Sequence, residues 1–165
     1  MVEEGQAAPD FTVPLAGGEA YNDLSEFTLS EAVGDGPIVL AFVPAAFTSG
    51  CTDELCAFRD TYEEFRTLDA SVYGVSVDLP FAQNVWIRQH DLGFPMLSDW
   101  DHEVIHAYDV VLPDMYGRIE VAERSVFVID DEGTIAYRWV RDEENPDFGE
   151  FVDELRSVVA DVSER

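Results

Sequence analysis

Apolar residues along this chain switch between unbroken runs and helical spacing, and the switches mark its elements. The run Pro37 to Val43 (PIVLAFV) is nearly all apolar and is bounded by Gly34-Asp35-Gly36 and Pro44. It predicts a strand buried on both faces, hence a central strand of a layered sheet. Just beyond it, Leu55, Phe58, Tyr62 and Phe65 recur at spacings of three and four, one face of a helix with acids and arginines opposite. Ser71 to Val77 (SVYGVSV) predicts a second strand. Pro80 to His90 predicts a helix opening on proline, with Val85, Trp86 and Leu92 helping to cover the sheet. Ser125 to Ile129 and Thr134 to Val140 flank the turn Asp131-Glu132-Gly133 and read as a hairpin. Phe151, Leu155, Val158 and Val159 give Asp147 to Ala160 an apolar helical face.

Strand, helix, strand, helix, hairpin and final helix, in that order, predict an α/β sandwich around a mixed sheet, parallel in its first half. No internal repeat or linker interrupts residues 1–165, so a single domain is expected. Gly17-Gly18 and Gly34-Asp35-Gly36 read as turns, because no strand-to-helix context makes them phosphate loops. Trp86, Trp100 and Trp139 are expected to serve core and interface packing. Phe47 is expected at an entrance or a dimer contact, and Arg59 as a surface or helix-pairing charge.

Charge narrows the partners. Nine basic residues, every one an arginine, face 35 acids, for a net charge of −26. That field repels phosphates, so nucleic acid and anionic membranes are excluded as partners. The acids are scattered over helical surfaces instead of forming a tail, which reads as a solvation strategy for a cytoplasm of high ionic strength. A melting temperature that rises between dilute buffer and molar KCl is the expected outcome. No apolar stretch is long enough to span a membrane, and MVEEGQAAPD lacks the features of a secretory signal, so a soluble, cytoplasmic protein is expected.

The chain has two cysteines, Cys51 and Cys56, both near the start of the first long helix. A helix N-terminus offers unpaired backbone N–H groups and the positive end of the dipole, which favour a thiolate. Cys51 sits in that first turn and Cys56 more than a turn deeper, which marks Cys51 as the nucleophile of the pair. The plainer alternative is two buried cysteines acting as small hydrophobes. A structural metal site lacks ligands at this spacing, and C-x4-C is not the C-x-x-C of thioredoxin-type exchange. A competing motif, His102-Glu103-Val104-Ile105-His106, has the H-E-x-x-H form of zinc hydrolases, with Glu103 as base. It needs a third ligand, for which Glu120 or Glu123 is available and His90 lies upstream. The same segment also suits a short surface helix.

Pro44-x3-Thr48-x2-Cys51, directly after a buried strand, resembles the peroxidatic motif of the peroxiredoxins, the AhpC/TSA family of thioredoxin-like fold. The similarity runs through Gly5-Gln6-Ala7-Ala8-Pro9-Asp10-Phe11, the helix from Cys51 to Asp60, Ser76-Val77-Asp78, and Arg124 to Asp130. The resemblance implies a thiol peroxidase reducing hydrogen peroxide and small organic hydroperoxides. It implies Cys51 as the peroxidatic cysteine that becomes a sulfenic acid, and Thr48 as a hydroxyl bonding peroxide and thiolate. Arg124 would be the guanidinium stabilising sulfur and leaving oxygen, with Pro44 shielding the sulfur and Glu54 holding the arginine. Cys56 matches the resolving cysteine of the BCP/PrxQ branch, whereas Pro44-Ala-Ala-Phe-Thr48, with Ser49 where PrxQ-like motifs carry proline, is more similar to the one-cysteine AhpE-like branch. No metal, haem or flavin is implied. The implied reductant is a thioredoxin-like dithiol protein or a small thiol, and the family includes monomers and homodimers. Five residues of helix separate Cα atoms by roughly 8 to 9 Å, beyond the disulfide limit of about 7 Å, so pairing of Cys51 with Cys56 requires the helix start to unwind. A redox sensor or holdase with slow turnover is the alternative from another class.

Overall fold

The computed structural model describes residues 2–164. In chain order its elements are β1 (Thr12–Ala16), β2 (Leu24–Thr28), α1 (Leu29–Ala32), β3 (Ile38–Phe42), α2 (Ser49–Thr67), β4 (Ser71–Ser76) and α3 (Pro80–His90). They continue with β5 (Met96–Ser98), α4 (Glu103–Ala107), β6 (Val111–Met115), β7 (Ile119–Ala122), β8 (Ser125–Ile129), β9 (Ile135–Val140) and α5 (Phe148–Ser163). Seven strands form one sheet in the order β2-β1-β5-β4-β3-β8-β9, and β6 with β7 makes a separate hairpin. The β3–β4 and β4–β5 pairs are parallel; the other pairs in this sheet are antiparallel. The mixed, helix-flanked sheet expected from the pattern is therefore present.

β3 explains the unbroken apolar run. Val39, Ala41 and Val43 point into a core shared with α2, α3 and α5, while Ile38, Leu40 and Phe42 point into a second core on the other face. A strand with a helical layer on each side has no solvent face and so no polar alternation. β8 repeats this with Val126 and Val128 on one side and Phe127 and Ile129 on the other.

Two packing expectations are corrected. Val85 does not cover the sheet: it is exposed, because Gln83, Asn84, Trp86 and Ile87 form the buried stripe of α3 and Val85 lies about 200° round the helix from Gln83. The buried amides are satisfied, Gln83 Nε2 donating to Leu97 O at 2.9 Å and Asn84 Nδ2 to Tyr21 O at 3.0 Å. Trp100 is exposed and is no core residue, whereas Trp86 is fully buried and Trp139 packs on Phe151 at 4.6 Å between ring centroids. Arg59 does pair helices, its Nη1 donating to the His90 carbonyl at the end of α3 at 2.7 Å.

The strands missing from the pattern are short or weakly buried. β2 buries only Phe27, and β5 has three residues. β1 carries Pro14, tolerated because only Leu15 and Ala16 pair with β5.

Candidate active site

Strand register builds the site. Phe42 at the end of β3 pairs with Ser125 at the start of β8, so Arg124 stands beside the chain as it leaves the sheet toward α2. That exit is a tight loop. Pro44 is buried, the Ala46 N–H donates to Asp78 Oδ2 at 2.8 Å, and Phe47 adopts a left-handed backbone (φ 67°) that exposes its ring. Thr48 is the N-cap of α2. Its hydroxyl donates to the Ala45 carbonyl at 2.8 Å instead of capping the helix. The first N–H groups of α2 therefore keep no intrahelical acceptor, and the Thr48 oxygen is left with lone pairs to offer.

Cys51 is the third residue of α2, with 1% of its surface exposed. Arg124, itself buried, spreads its guanidinium over three acceptors: Nη2 donates to Cys51 Sγ at 3.3 Å, Nη1 to Glu54 Oε2 at 2.8 Å, and Nε to Asn145 Oδ1 at 3.1 Å. The Phe148 ring lies 5.6 Å from its central carbon, within cation–π range. Glu54 follows Cys51 by three residues, so the helix places sulfur and carboxylate on one face, both reaching one cation. Burial pushes the Glu54 carboxyl up to about 7, the Arg124 charge opposing that rise. Its Oε1 is buried with no hydrogen-bond partner among the described residues. One guanidinium thus serves both the sulfur and the carboxylate.

The structure brings Pro44, Thr48, Cys51, Glu54 and Arg124 together and leaves Cys56 on another side of α2. Both cysteines are free thiols on an unbroken helix. Cys56 is half-buried, and burial pushes its thiol up, with Arg59 opposing and Asp60 and Asp53 adding to the rise. It lines a groove of about 850 Å³ between α2 and the start of α5.

Three contributors were not assigned a role from the sequence. Asn145 holds Arg124 from a polar loop, in which Arg141 also donates to it at 3.0 Å. Asp78 pins the loop before Thr48. Gly50 leaves room: a Cβ there would stand 3.2 Å from Arg124 Nη2 and 3.0 Å from Asn145 Nδ2. None stands at a diagnostic spacing. Only Asp78, within Ser76-Val77-Asp78, carried any signal.

The H-E-x-x-H segment does not form a zincin site. α4 is five residues long, and His102 precedes it in a left-handed conformation, so the two histidines do not share a regular helix face. His102 Nδ1 lies 2.7 Å from Glu120 Oε2 and His106 Nε2 lies 3.0 Å from Glu120 Oε1, so the carboxylate is spent tying the two rings together. Glu123 is engaged elsewhere, by the Arg124 N–H and Arg141. Among the described residues no group of three or more His, Cys, Asp or Glu is arranged to hold a metal ion.

A sulfur buried at a helix start beside a clamped guanidinium, on a seven-stranded mixed sheet, defines a thiol-based redox protein of thioredoxin-like architecture. The AhpC/TSA family model matches residues 4–138. The chain is 39% identical over 140 residues to peroxiredoxin Bcp of Bacillus subtilis, covering 84% of this chain and 85% of that protein. It is 35% identical over 167 residues to the chloroplastic 2-cysteine peroxiredoxin of Chattonella marina var. antiqua, covering 96% and 80%. Among solved structures, peroxidoxin BcpB of Mycobacterium tuberculosis superposes with a TM-score of 0.83 at 28% identity, covering 98% of this chain and 99% of that one. Peroxiredoxin Q of Xanthomonas campestris gives 0.81 at 25%, covering 99% and 98%. The chain belongs to the AhpC/TSA family. Its activity is that of a thiol peroxidase, an oxidoreductase.

Proposed function

We propose that Cys51 is the peroxidatic nucleophile and Cys56 the thiol that resolves it. The observation that carries this reading is the Arg124 Nη2 contact to Cys51 Sγ at 3.3 Å, made by a guanidinium that Glu54 and Asn145 hold in place. The Cys51 thiolate attacks the distal oxygen of a hydroperoxide, an S–O bond forms, and the O–O bond breaks. The departing oxygen takes up a proton and leaves as water or alcohol; the sulfur becomes a sulfenic acid. Charge develops on both oxygens as the bond breaks, and Arg124 with the free N–H groups of α2 stabilises it in a water-poor site. Because the Thr48 proton is given to Ala45, the Thr48 oxygen acts as acceptor and orients the peroxide O–H. Pro44 closes the site against water.

Cys56 then attacks the Cys51 sulfur and expels hydroxide, which leaves as water, forming a disulfide. This step requires the start of α2 to unwind, since the two thiols lie on different sides of a regular helix. A thioredoxin-like dithiol donor returns two electrons. The chain works as one domain in a cytoplasm; among the described residues no helix is long and apolar enough to cross a membrane.

Peroxide consumption by wild type, Cys51→Ser and Cys56→Ser, each with thioredoxin and its reductase, tests this reading. Activity is expected in the wild type and none in Cys51→Ser. Mass spectrometry after one equivalent of peroxide should show the loss of two hydrogens across the Cys51 and Cys56 peptides. A second reading is favoured by the intact helix and the raised Cys56 thiol: a one-cysteine enzyme resolved by an external thiol. A persistent sulfenic acid with no loss of hydrogens would establish it.

A further inference from the structure

The groove beside Cys56 has a one-sided composition. Its walls are the solvent side of α2, the loop from Asn145 and the first turns of α5. Asp53, Asp60, Asp147, Glu150 and Asp153 line it, and among the described residues no arginine, lysine or histidine does. Arg59 is a cation that acts on the thiol, more strongly than Asp60 or Asp53 singly, but its Nε donates to Asp60 Oδ1 at 3.0 Å and its Nη1 to the His90 carbonyl, toward α3, outside the groove lining. Asp147 caps α5 by accepting from the Glu150 N–H at 3.1 Å. Asp53, Glu150 and Asp153 are exposed, and their carboxylates hold no hydrogen bond or ion pair among the described residues. They leave a negative mouth around the one sulfur of the pair that solvent reaches.

We infer that this groove is the entry for the reducing thiol and that Asp53, Glu150 and Asp153 make it charge-selective, admitting a sulfur bordered by positive charge and repelling anionic thiols. The inference rests on Cys56 forming the resolving disulfide. The chemistry takes the reductant to Cys56 and not to Cys51. An incoming thiolate attacks Cys56 Sγ, the S–S bond breaks, and Cys51 leaves as a thiolate able to regain its contact with Arg124. A better-stabilised leaving thiolate departs faster. A second thiolate then attacks the reductant's sulfur in the mixed disulfide, releasing Cys56, so two thiols are oxidised to one disulfide and the enzyme gains two electrons. Every attacking thiolate is an anion, so the acids oppose all of them. An ammonium group beside the sulfur cancels that charge, and a carboxylate doubles it. Glu150 and Asp153 belong to α5, outside the segment of α2 that must unwind, so their part of the mouth persists in the oxidised protein.

The test uses the oxidised full-length protein, made with one equivalent of peroxide and verified by mass, and three small thiols: cysteamine, 2-mercaptoethanol and 3-mercaptopropionate. Reduction rates are measured for wild type, for the triple variant Asp53→Asn/Glu150→Gln/Asp153→Asn, and for a control neutralising three acids away from the groove (Glu19→Gln/Glu26→Gln/Asp114→Asn). Measurements run at the lowest salt at which circular dichroism shows all three folded, and again at high salt. The ratio of cysteamine to mercaptopropionate rate is expected to fall roughly five- to tenfold in the groove variant, to hold in the control, and to shrink in wild type as salt rises. Each thiol's intrinsic reactivity cancels in this comparison. Equal ratios in all three proteins, or equal falls in groove variant and control, would overturn the inference while leaving the disulfide intact. Failure to form the disulfide at all would overturn both the resolving role and the inference built on it.

Discussion

Five residues of one helix separate two thiols with opposite surroundings. Cys51 faces inward, packed against the core, with Arg124 on its sulfur and one carboxylate nearby that is itself shared with that arginine. Cys56 faces outward, half-buried, with Asp53 and Asp60 beside it and Arg59 opposing them from the α3 side, where it also bonds Asp60 and the His90 carbonyl. Burial is greater at the reactive candidate and smaller at the resolving one, the reverse of what exposure alone would suggest. On the proposed assignment, the difference teaches that a nucleophilic sulfur is made by what lies within hydrogen-bond reach, while solvent access serves the partner that must meet another molecule.

The comparison breaks most sharply at the sulfurs. Cys51→Ser is expected to lower peroxide turnover by at least about 10⁴-fold, as loss of an essential nucleophile does. Cys56→Ser should leave the rate of the first oxidation within about twofold, since that sulfur lies outside the site, and should stop turnover with thioredoxin. Stopped-flow tryptophan fluorescence with a single peroxide pulse separates the two. A slowed first oxidation in Cys56→Ser would erase the division of labour.

Arg124→Lys keeps a positive charge but loses the fork that reaches sulfur, carboxylate and amide at once. The second-order rate with peroxide should fall roughly 10²- to 10³-fold, the cost of one misplaced charge-stabilising donor. Gly50→Ala sharpens the comparison from the Cys51 side. The added methyl crowds Arg124 and Asn145, so the same rate should fall about tenfold. Thermal stability should hold or rise, because alanine is the better helix former.

The smallest effect concerns pH. In the folded protein the Glu54 carboxyl binds its proton more tightly than in the unfolded chain, by the rise from 4.5 to about 7. Folded protein therefore holds more protons across that window, and Glu54 lowers stability progressively as pH rises through it, with no cost below and a constant cost above. The difference in urea midpoint between Glu54→Gln and wild type should accordingly shift in favour of the variant between about pH 5 and pH 8. Below the midpoint Glu54 is neutral and does not compete with the sulfur for the Arg124 charge; above it the charge is shared. The rate profile of wild type should carry an inflection near 7 that Glu54→Gln lacks.

The central layer was legible because burial on both faces leaves a mark no other environment makes. Ile38 to Phe42 and Ser125 to Ile129 are buried at every position. α3 ran from Pro80 to His90 as its opening proline indicated. Edge elements left no such mark: β2 is mostly exposed, and the hairpin β6–β7 is only partly covered. Val85 misled because buried amides took the inward positions of its helix. The H-E-x-x-H string proved to be the short surface helix it also suited, because its zinc-site spacing presumes a regular helix that a left-handed His102 denies.

By itself the sequence determined the alternation of layers, the position of Cys51 in a first helical turn and, through Pro44-x3-Thr48-x2-Cys51, the family. These are local facts, set by neighbours within a few residues along the chain. Only the tertiary structure decided that Arg124, 73 positions away, lies on Cys51 Sγ, that Asn145 steadies it, and that a side chain at Gly50 would crowd both. The reason is physical: those contacts arise where Phe42 pairs with Ser125 across two strands, and pairing between distant segments is a property of the folded sheet that no local pattern encodes.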